Sequence, residues 1–221
     1  GQEQIDAVRM VCEHGTCVMT GGPGVGKTTT LKKTVEALER AGVNVLLMAP
    51  TGIAAKRMRE STERPASTLH SAIGKLGKRS EDDEPLIPSD GPTCVVIDES
   101  SMVNVFTLQK LLSPLPERVS ILFSGDVDQL PSIGPGQILR DLIESGMVPV
   151  TRLDTVYRQG PDSEIIHAAR AINAGTMPEV KNDFRIIPAD TPEEIRDEVI
   201  RQVRQVSAME GFDLMRDLMV L

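Results

Sequence analysis

The sequence predicts an α/β fold in which a parallel β-sheet is covered by helices on both faces. Short, mostly apolar runs at 17–20, 43–49, 94–98 and 119–124 alternate with segments of helical periodicity. Strands buried on both faces have such continuous apolar sequences, and intervening helices of about ten to fifteen residues are typical of βαβ units. Ligands of these sheets bind at the carboxyl ends of the strands. The unusual polar clusters of this chain follow predicted strands, as that rule requires.

The composition is that of a globular protein with an acidic balance. The chain has 221 residues, of which 40% are hydrophobic and 25% charged, which predicts one large domain, or one domain and the beginning of another. Four Phe, one Tyr and no Trp are present, so the core must consist of Val, Ile, Leu and Met. The net charge of −8 argues against binding to nucleic acid through the overall field of the protein.

Cysteine content and hydropathy argue against a disulfide scaffold and a membrane span. The three cysteines, Cys12, Cys17 and Cys94, show no metal-ligand spacing and are predicted to be buried thiols. The sequence contains no secretory signal and no apolar run of about 18 residues. It therefore predicts a soluble, cytoplasmic protein that contacts no membrane.

Helices are predicted from apolar spacing and from start and stop signals. The first covers 2–14 and ends at Gly15; its predicted buried face comprises Ile5, Val8, Val11 and Cys12. Further helices are expected at 29–41, 54–60 and 68–76, and 77–92 is predicted to be an exposed loop.

The pattern changes beyond residue 150. A helix at 163–174 precedes a short predicted strand at 184–187. The next helix opens with a capping box of Thr191 and Glu194, with Pro192 at its first position. The apolar run 218–221 is predicted to begin another strand.

Residues 21–28 read G-x-x-x-x-G-K-T between a predicted strand and a predicted helix. A glycine loop in this position directs backbone N–H groups and the positive end of a helix at one point, where a polyanion binds. Lys27 is expected to reach the β and γ phosphates of a nucleotide, and the Thr28 hydroxyl to ligate magnesium. A chance glycine loop is the weaker alternative, because the flanking strand and helix are both in place. The nucleotide-binding residues predicted here are Gly22, Gly24, Val25, Gly26, Lys27, Thr28 and Thr29.

Two further polar clusters follow predicted strands. In P-loop ATPases a strand-end aspartate holds magnesium and an adjacent glutamate activates the attacking water, which are the roles predicted for Asp98 and Glu99. After the next strand, Gln129 could hydrogen-bond a γ-phosphate or that water. A polar turn ended by Pro131 is an equally good interpretation of the segment 125–131 from its chemistry alone.

A basic stretch interrupts the acidic chain. Residues 49–79 contain seven positive and two negative side chains, a net charge of +5, so the remainder carries −13. From charge alone, a solvated helix face is the favoured interpretation.

The ordered motifs resemble those of the superfamily 1 helicases, specifically the RecD-like group that moves 5′ to 3′ on single-stranded DNA. Gln4 matches the adenine-reading glutamine, 21–28 the Walker A motif, and 49–55 motif Ia, followed by a DNA-contacting element at 68–70. The segments 98–103, 125–131 and 157–159 match motifs II, III and IV. The Gly-Pro-Gly at 134–136 and the helix after it are RecD-like rather than Pif1-like. Conjugative relaxase helicases share much of this pattern.

This resemblance implies a RecA-like P-loop NTPase domain that uses ATP and magnesium. Arg158 would contact the γ-phosphate, Tyr157 would stack on adenine, and Gln129 would couple the nucleotide to DNA. Single-stranded DNA would be the partner, with nuclease or recombination subunits in DNA repair, and the protein would be a monomer. The basic stretch then becomes part of a DNA surface rather than a solvated face. The residues implied to contact DNA are Pro50, Thr51, Lys56, Arg57, Arg64, Thr68 and His70.

The resemblance also implies a division of the chain. Residues 1–160 would form the ATP-binding motor domain, 161–210 its remainder with an accessory hairpin near 184–187, and 211–221 the start of a second motor domain. Motifs V and VI do not occur in the sequence. The leading interpretation is an ATP-dependent DNA helicase; the alternative is an ATP-gated module that grips DNA or a nuclease partner without unwinding. A P-loop kinase ranks third, because no acceptor site or lid is evident.

Overall fold

The computed structural model describes residues 1–77, 85–88, 90–155, 164–181 and 183–220. The chain folds into two compact units, Gly1–Ser163 and Glu164–Leu221. Within the described residues, no helix combines the length and the apolar character that a bilayer crossing requires.

The first unit is built on a parallel sheet, as the sequence predicts. The strands described lie in the order β3-β2-β4-β5-β1-β6, and every neighbouring pair is parallel. The predicted strands occupy its centre, whereas β3 and β6, at its two edges, were not predicted. Both are short and lack a long apolar run, so they carry little sequence signal. The strands are β1 Thr16–Gly21, β2 Asn44–Ala49, β3 Ala66–Thr68, β4 Thr93–Ile97, β5 Val119–Gly125 and β6 Val150–Leu153.

Helices cover both faces of the sheet. Along β4, Cys94 and Val96 pack in one apolar cluster, and Val95 and Ile97 in the other, because successive side chains of a strand point to opposite faces. The first cluster includes side chains of α1, α2 and α3, and the second includes those of α4, α5 and α6. The helices of this unit are α1 Gln2–Glu13, α2 Lys27–Arg40, α3 Gly52–Thr62, α4 Leu69–Gly77, α5 Val105–Leu112 and α6 Ile138–Ser145, with a 3-10 helix at Ser100–Met102.

The prediction of which α1 residues are buried is partly wrong. The helix buries Ala7, Met10 and Val11, whereas Ile5 is exposed. Cys12 is also exposed, so the expectation of three buried thiols holds only for Cys17 and Cys94. Ala7 is fully buried, and α1 packs against α2 and β6. Tertiary packing, rather than the apolar spacing, therefore decides which face of α1 is buried. The burial of Cys17 raises the pKa of its thiol to about 12, which leaves it an unreactive core residue.

The second unit contains α7 Glu164–Asn173, α8 Pro192–Ser207 and α9 Leu214–Asp217. The predicted capping box is confirmed: Thr191 Oγ1 accepts a hydrogen bond from Glu194 N at 3.2 Å, and Glu194 Oε2 accepts from Thr191 N at 3.3 Å. Residues 184–187 form no strand, contrary to prediction, and neither do the described residues 218–220. The described residues therefore supply no strand for the hairpin expected near 184–187.

We expect Gly21→Ala to destabilise the first unit by about 1–3 kcal/mol, the usual cost of overpacking. A Cβ on Gly21 would lie 2.5 Å from the Leu153 backbone oxygen and 2.9 Å from Val25 Cγ2. Gly22→Ala is the matched control, because a Cβ there meets no atom within 4 Å. Urea unfolding of both variants measures the difference. Equal midpoints for the two variants would contradict the packing argument.

Candidate nucleotide site and nucleic-acid surface

The predicted phosphate loop connects β1 to α2. Gly24 and Gly26 have φ angles of 78° and 85°, in the left-handed region that only glycine enters without strain. Between them, Val25 is buried and packs in the core cluster beneath α2. Because Val25 anchors the loop, its backbone is held close to the start of α2. The free N–H groups of the first turn of this helix, at Lys27, Thr28 and Thr29, form a site suited to an anion.

Lys27 is the first residue of α2 and folds back over the loop. Its Nζ donates hydrogen bonds to the backbone oxygens of Gly21 and, at 3.0 Å, Gly22. It forms no ion pair with a carboxylate among the described residues. The ammonium group is thus held at the mouth of the loop by carbonyl groups alone. Phosphate oxygens can replace such neutral acceptors at little electrostatic cost, so the loop has the geometry and the charge that a nucleotide phosphate requires.

Asp98 lies directly after β4, where two neighbouring strands hold it. Its backbone N–H donates to Met48 O of β2 at 2.9 Å, and Ser124 Oγ of β5 donates to its Oδ1 at 2.8 Å. Burial raises the pKa of the Asp98 carboxyl, although the Ser124 hydrogen bond and the charge of Lys27 act in the opposite direction. A buried carboxylate held in one orientation beside a lysine is well placed to hold a divalent cation.

Glu99 adopts an unusual backbone conformation. Its φ of 51° lies in the left-handed region, which costs about 1–3 kcal/mol for a non-glycine residue. The turn leaves Oε2 buried without a hydrogen-bond partner. Burial and the negative charges of Asp98 and Asp126 raise the pKa of Glu99, while Lys27 and Arg57 lower it. A carboxylate that is poorly solvated and of raised pKa is a stronger base, as activation of a water molecule requires.

The segment 125–131 forms a tight turn after β5. The buried Asp126 accepts a hydrogen bond at Oδ1 from Asp128 N at 3.0 Å, and Gln129 N donates to Asp126 O at 3.3 Å. The side chain of Gln129 is exposed and makes no hydrogen bond with a described residue. Hydrogen bonds thus account for a polar turn here, while the role of Gln129 as a sensor stays a prediction.

The residues predicted to face DNA occupy the carboxyl ends of β2 and β3, which are adjacent strands. Thr51 caps α3, because its Oγ1 accepts from Ala54 N at 3.2 Å, and Thr68 Oγ1 accepts from Ser71 N at 3.2 Å in the first turn of α4. Pro50 is half-buried and His70 is exposed. The structure brings these residues to one edge of the sheet, and both hydroxyls already serve as helix caps.

The three predicted phosphate-contacting cations differ in their availability. Arg64 is bound by Glu39, with its Nε 2.9 Å from Oε1 and its Nη2 3.0 Å from Oε2. Lys56 forms a loose ion pair with Glu60 at 3.8 Å. Arg57 is exposed, forms no ion pair with a described residue, and acts electrostatically on Glu99. Arg57 is therefore the most available of the three.

The start of α1 carries the predicted adenine-reading residue. Gln4 Oε1 accepts a hydrogen bond from the Gly1 amine at 2.8 Å. The neighbouring Glu3 receives hydrogen bonds from Asp154 N at 2.9 Å and from Thr155 N and Oγ1, at 3.2 and 3.0 Å. These bonds bring the segment after β6 to the start of α1. The predicted contacts from Tyr157 and Arg158 lie outside the described residues.

Comparisons with known proteins identify the family of the chain. A family model described as an AAA domain matches residues 1–185. The chain is 38% identical over 179 residues to the ATP-dependent RecD2 DNA helicase of Deinococcus radiodurans, an alignment that covers 80% of this chain and 24% of that protein. It is 32% identical over 202 residues to the RecBCD enzyme subunit RecD of Mycolicibacterium smegmatis, covering 79% of this chain and 36% of that protein.

The fold is similar to that of a solved helicase. The crystal structure of the Pif1 helicase from Candida albicans matches with a TM-score of 0.64 and 20% identity, covering 96% of this chain and 55% of that one. The phosphate loop and the strand-end carboxylates define a P-loop NTPase domain of RecA-like fold. The chain belongs to the AAA domain family and is similar to the RecD2 and RecD proteins. It spans 24–36% of the length of the two curated relatives compared.

We expect Glu99→Gln to raise the melting temperature of the nucleotide-free protein at pH 8. The folded-state pKa of Glu99 is raised, so the folded protein binds a proton more tightly than the unfolded chain, and stability falls as pH rises through the interval between the two values. The amide removes this penalty. The difference in melting temperature between the variant and wild type should therefore shrink as the pH falls towards the usual pKa of a glutamate side chain.

Thermal unfolding between pH 4.5 and pH 8 measures this effect. Glu117→Gln is the control, because Glu117 is exposed and has no ion pair or hydrogen bond to a described residue. A lower melting temperature for Glu99→Gln than for wild type at pH 8 would show that the carboxylate stabilises the fold.

Proposed function

We propose that this chain is the ATP-hydrolysing, single-stranded DNA-binding motor domain of a RecD-like, 5′-to-3′ helicase. The observation that carries the proposal is that Lys27, after β1, and Asp98 and Glu99, after β4, lie at the same edge of the sheet, where β1 and β4 flank β5. Glu99 Oε2 is buried there and has no partner among the described residues. The named activity of the RecD2 relative supports the helicase assignment. The RecBCD subunit relative supports a function with nuclease or recombination subunits in DNA repair.

Each residue has a role that follows from its position. Lys27 and the N–H groups at the start of α2 bind the phosphates of ATP. Thr28 and Asp98 would hold magnesium, which supplies positive charge against the phosphate oxygens. Glu99 orients a water molecule and accepts its proton, for which its raised pKa is suited. Arg158 neutralises charge on the γ-phosphate, and Gln129 links the nucleotide to DNA.

The sheet offers a short connection between the nucleotide and the DNA. The candidate DNA residues Pro50 and Thr51 directly follow β2, and Met48 O of the same strand accepts the hydrogen bond from Asp98 N. A displacement of the backbone at the start of α3 can therefore reach Asp98, the residue proposed to hold magnesium, through the pairing of β2 with β4. Arg57 adds a through-space interaction with Glu99. These contacts support stimulation of ATP hydrolysis by single-stranded DNA.

The ATPase rate should rise with single-stranded DNA and collapse in Lys27→Ala and Glu99→Gln. Loss of a general base lowers turnover by about 10²- to 10⁴-fold, and loss of Lys27 removes the charge that faces the phosphates. A coupled assay of phosphate release, with and without oligothymidylate, measures both effects. Lys110→Ala, at an exposed position in α5, controls for the change in charge. A healthy ATPase rate that DNA left unchanged would rule out the motor.

Strand displacement separates a motor from an ATP-gated binding module. With a duplex that carries a 5′ single-stranded tail, a full-length version that also carries motifs V and VI should release the labelled strand in the presence of ATP and magnesium. The Glu99→Gln variant of that protein should bind the substrate without releasing it. If the wild-type protein shifts the substrate in a gel but releases no strand, the result would favour the binding module.

A further inference from the structure

A small cleft lies between the 3-10 helix, the turn 125–131 and the start of α6. Its volume is about 30 Å³, enough for one water molecule or one phosphate oxygen. Its apolar wall includes Val127 and Leu139. Its polar lining comes from Ser101, Gln129, Gln137 and Arg140, of which the sequence singled out only Gln129.

Ser101 provides a buried group without a partner. The residue is 8% exposed, and its Oγ is buried with no hydrogen-bond partner. Its chain neighbour Ser100 shows the usual arrangement, because Ser100 Oγ donates to Ser124 O at 2.5 Å. Buried hydroxyls without a partner are uncommon in native proteins, and a bound water, ion or ligand group is one explanation for them. Because Ser101 lines the cleft, a group bound there can supply the partner.

The chemistry of the lining favours an oxyanion. The side chains of Gln129, Gln137 and Arg140 make no hydrogen bond or ion pair with a described residue, so each can donate to a ligand. No carboxylate of a described residue lines the cleft, and Arg140 gives it a positive charge. The amide oxygens of the two glutamines could face a cation, but the positive charge of Arg140 and the lack of a carboxylate ligand oppose one. Amide, hydroxyl and guanidinium donors together match the oxygens of a phosphate group.

We propose that this cleft binds a phosphodiester group of single-stranded DNA, with Arg140 and Ser101 donating hydrogen bonds to its oxygens. The inference rests on the function proposed above and extends the DNA surface to α6. Leu139 of α6 packs in the same apolar cluster as Leu69 of α4, the helix that carries His70, whereas the phosphate-loop helix α2 packs in the other cluster. The cleft thus lies on the face of the sheet that carries α4 and His70, whereas α3, with Lys56 and Arg57, packs on the other face.

The position of Gln129 links this cleft to the nucleotide. Gln129 lines the cleft and lies in a turn anchored on Asp126, which acts electrostatically on Glu99. A strand phosphate beside Arg140 would contact the residue that is predicted to couple nucleotide and DNA. The cleft therefore connects DNA occupancy to the turn after β5.

The test is the affinity of nucleotide-free protein for fluorescein-labelled oligothymidylate, measured by anisotropy at several salt concentrations. Arg140→Ala should weaken binding about threefold or more and reduce the slope of log affinity against log salt by about 0.7, the value for one phosphate contact on a single strand. Arg152→Ala is the matched control, since Arg152 on β6 is exposed and has no partner among the described residues. It should change neither quantity.

The Ser101→Ala variant tests whether the Ser101 hydroxyl binds a ligand or has a structural role. It should weaken oligothymidylate binding about threefold and leave the melting temperature unchanged or higher, because the removed hydroxyl has no partner in the free protein. A lower melting temperature with unchanged affinity for oligothymidylate would overturn the proposal.

A second titration, with a fluorescent ATP analogue, distinguishes the source of the phosphate. Loss of analogue affinity in Arg140→Ala with unchanged oligothymidylate affinity would assign the cleft to a nucleotide and overturn the proposal. Oligothymidylate binding that is equal in wild type, Arg140→Ala and Arg152→Ala would overturn it while leaving the motor function intact. Failure of wild type itself to bind oligothymidylate would refute both the motor function and the DNA cleft.

Discussion

The parallel pairing of β4, β5 and β1 is the constraint on which the remaining structure depends. Parallel strands end at the same edge, and the observed register sets Thr20 beside Gly125 and Ile97 beside Phe123. The residues that follow these strands are the phosphate loop, the acidic pair and the turn that carries Gln129. Each of these segments is short and polar and could not assemble alone. The hydrogen-bonded sheet and its two apolar clusters hold them together, so the site is a consequence of the core.

The same constraint leaves polar groups at this edge without partners. Glu99 Oε2 and Ser101 Oγ are buried and unpaired, and Glu99 is also held in a left-handed conformation. Such features lower the stability of the free domain, and binding of the proper ligand satisfies them. The proposed phosphate and cation at this edge would therefore offset a cost that the free domain carries. Among the described residues, Asn44 Nδ2 and Thr93 Oγ1, at the amino ends of β2 and β4, are also buried and unpaired. Only the carboxyl edge combines such atoms with the phosphate loop and a strained Glu99, which marks it as the functional edge.

Local patterns predicted the strands at the centre of the sheet, the phosphate loop and the capping box of α8, because each depends on residues close in sequence. Pairings between distant segments were not predictable in this way. Ser124 became a partner of Asp98 only through the adjacency of β4 and β5. In the same way, Ser101 and Arg140 meet only because α6 folds back beside the 3-10 helix. No sequence period reports such contacts, and the short edge strands β3 and β6 were missed for the same reason.

The availability of donors decides how the candidate DNA surface can bind. Thr51 and Thr68 already accept hydrogen bonds as helix caps, although each hydroxyl can still donate one hydrogen. Arg64 is held by Glu39, and giving up this ion pair would offset much of a new phosphate contact. Arg57 has no such partner among the described residues and also acts on Glu99, so a strand phosphate beside it would reduce the positive potential at that carboxylate. Of the three predicted phosphate-contacting cations, Arg57 is therefore the most available to a DNA strand, and it also lowers the pKa of the candidate catalytic base.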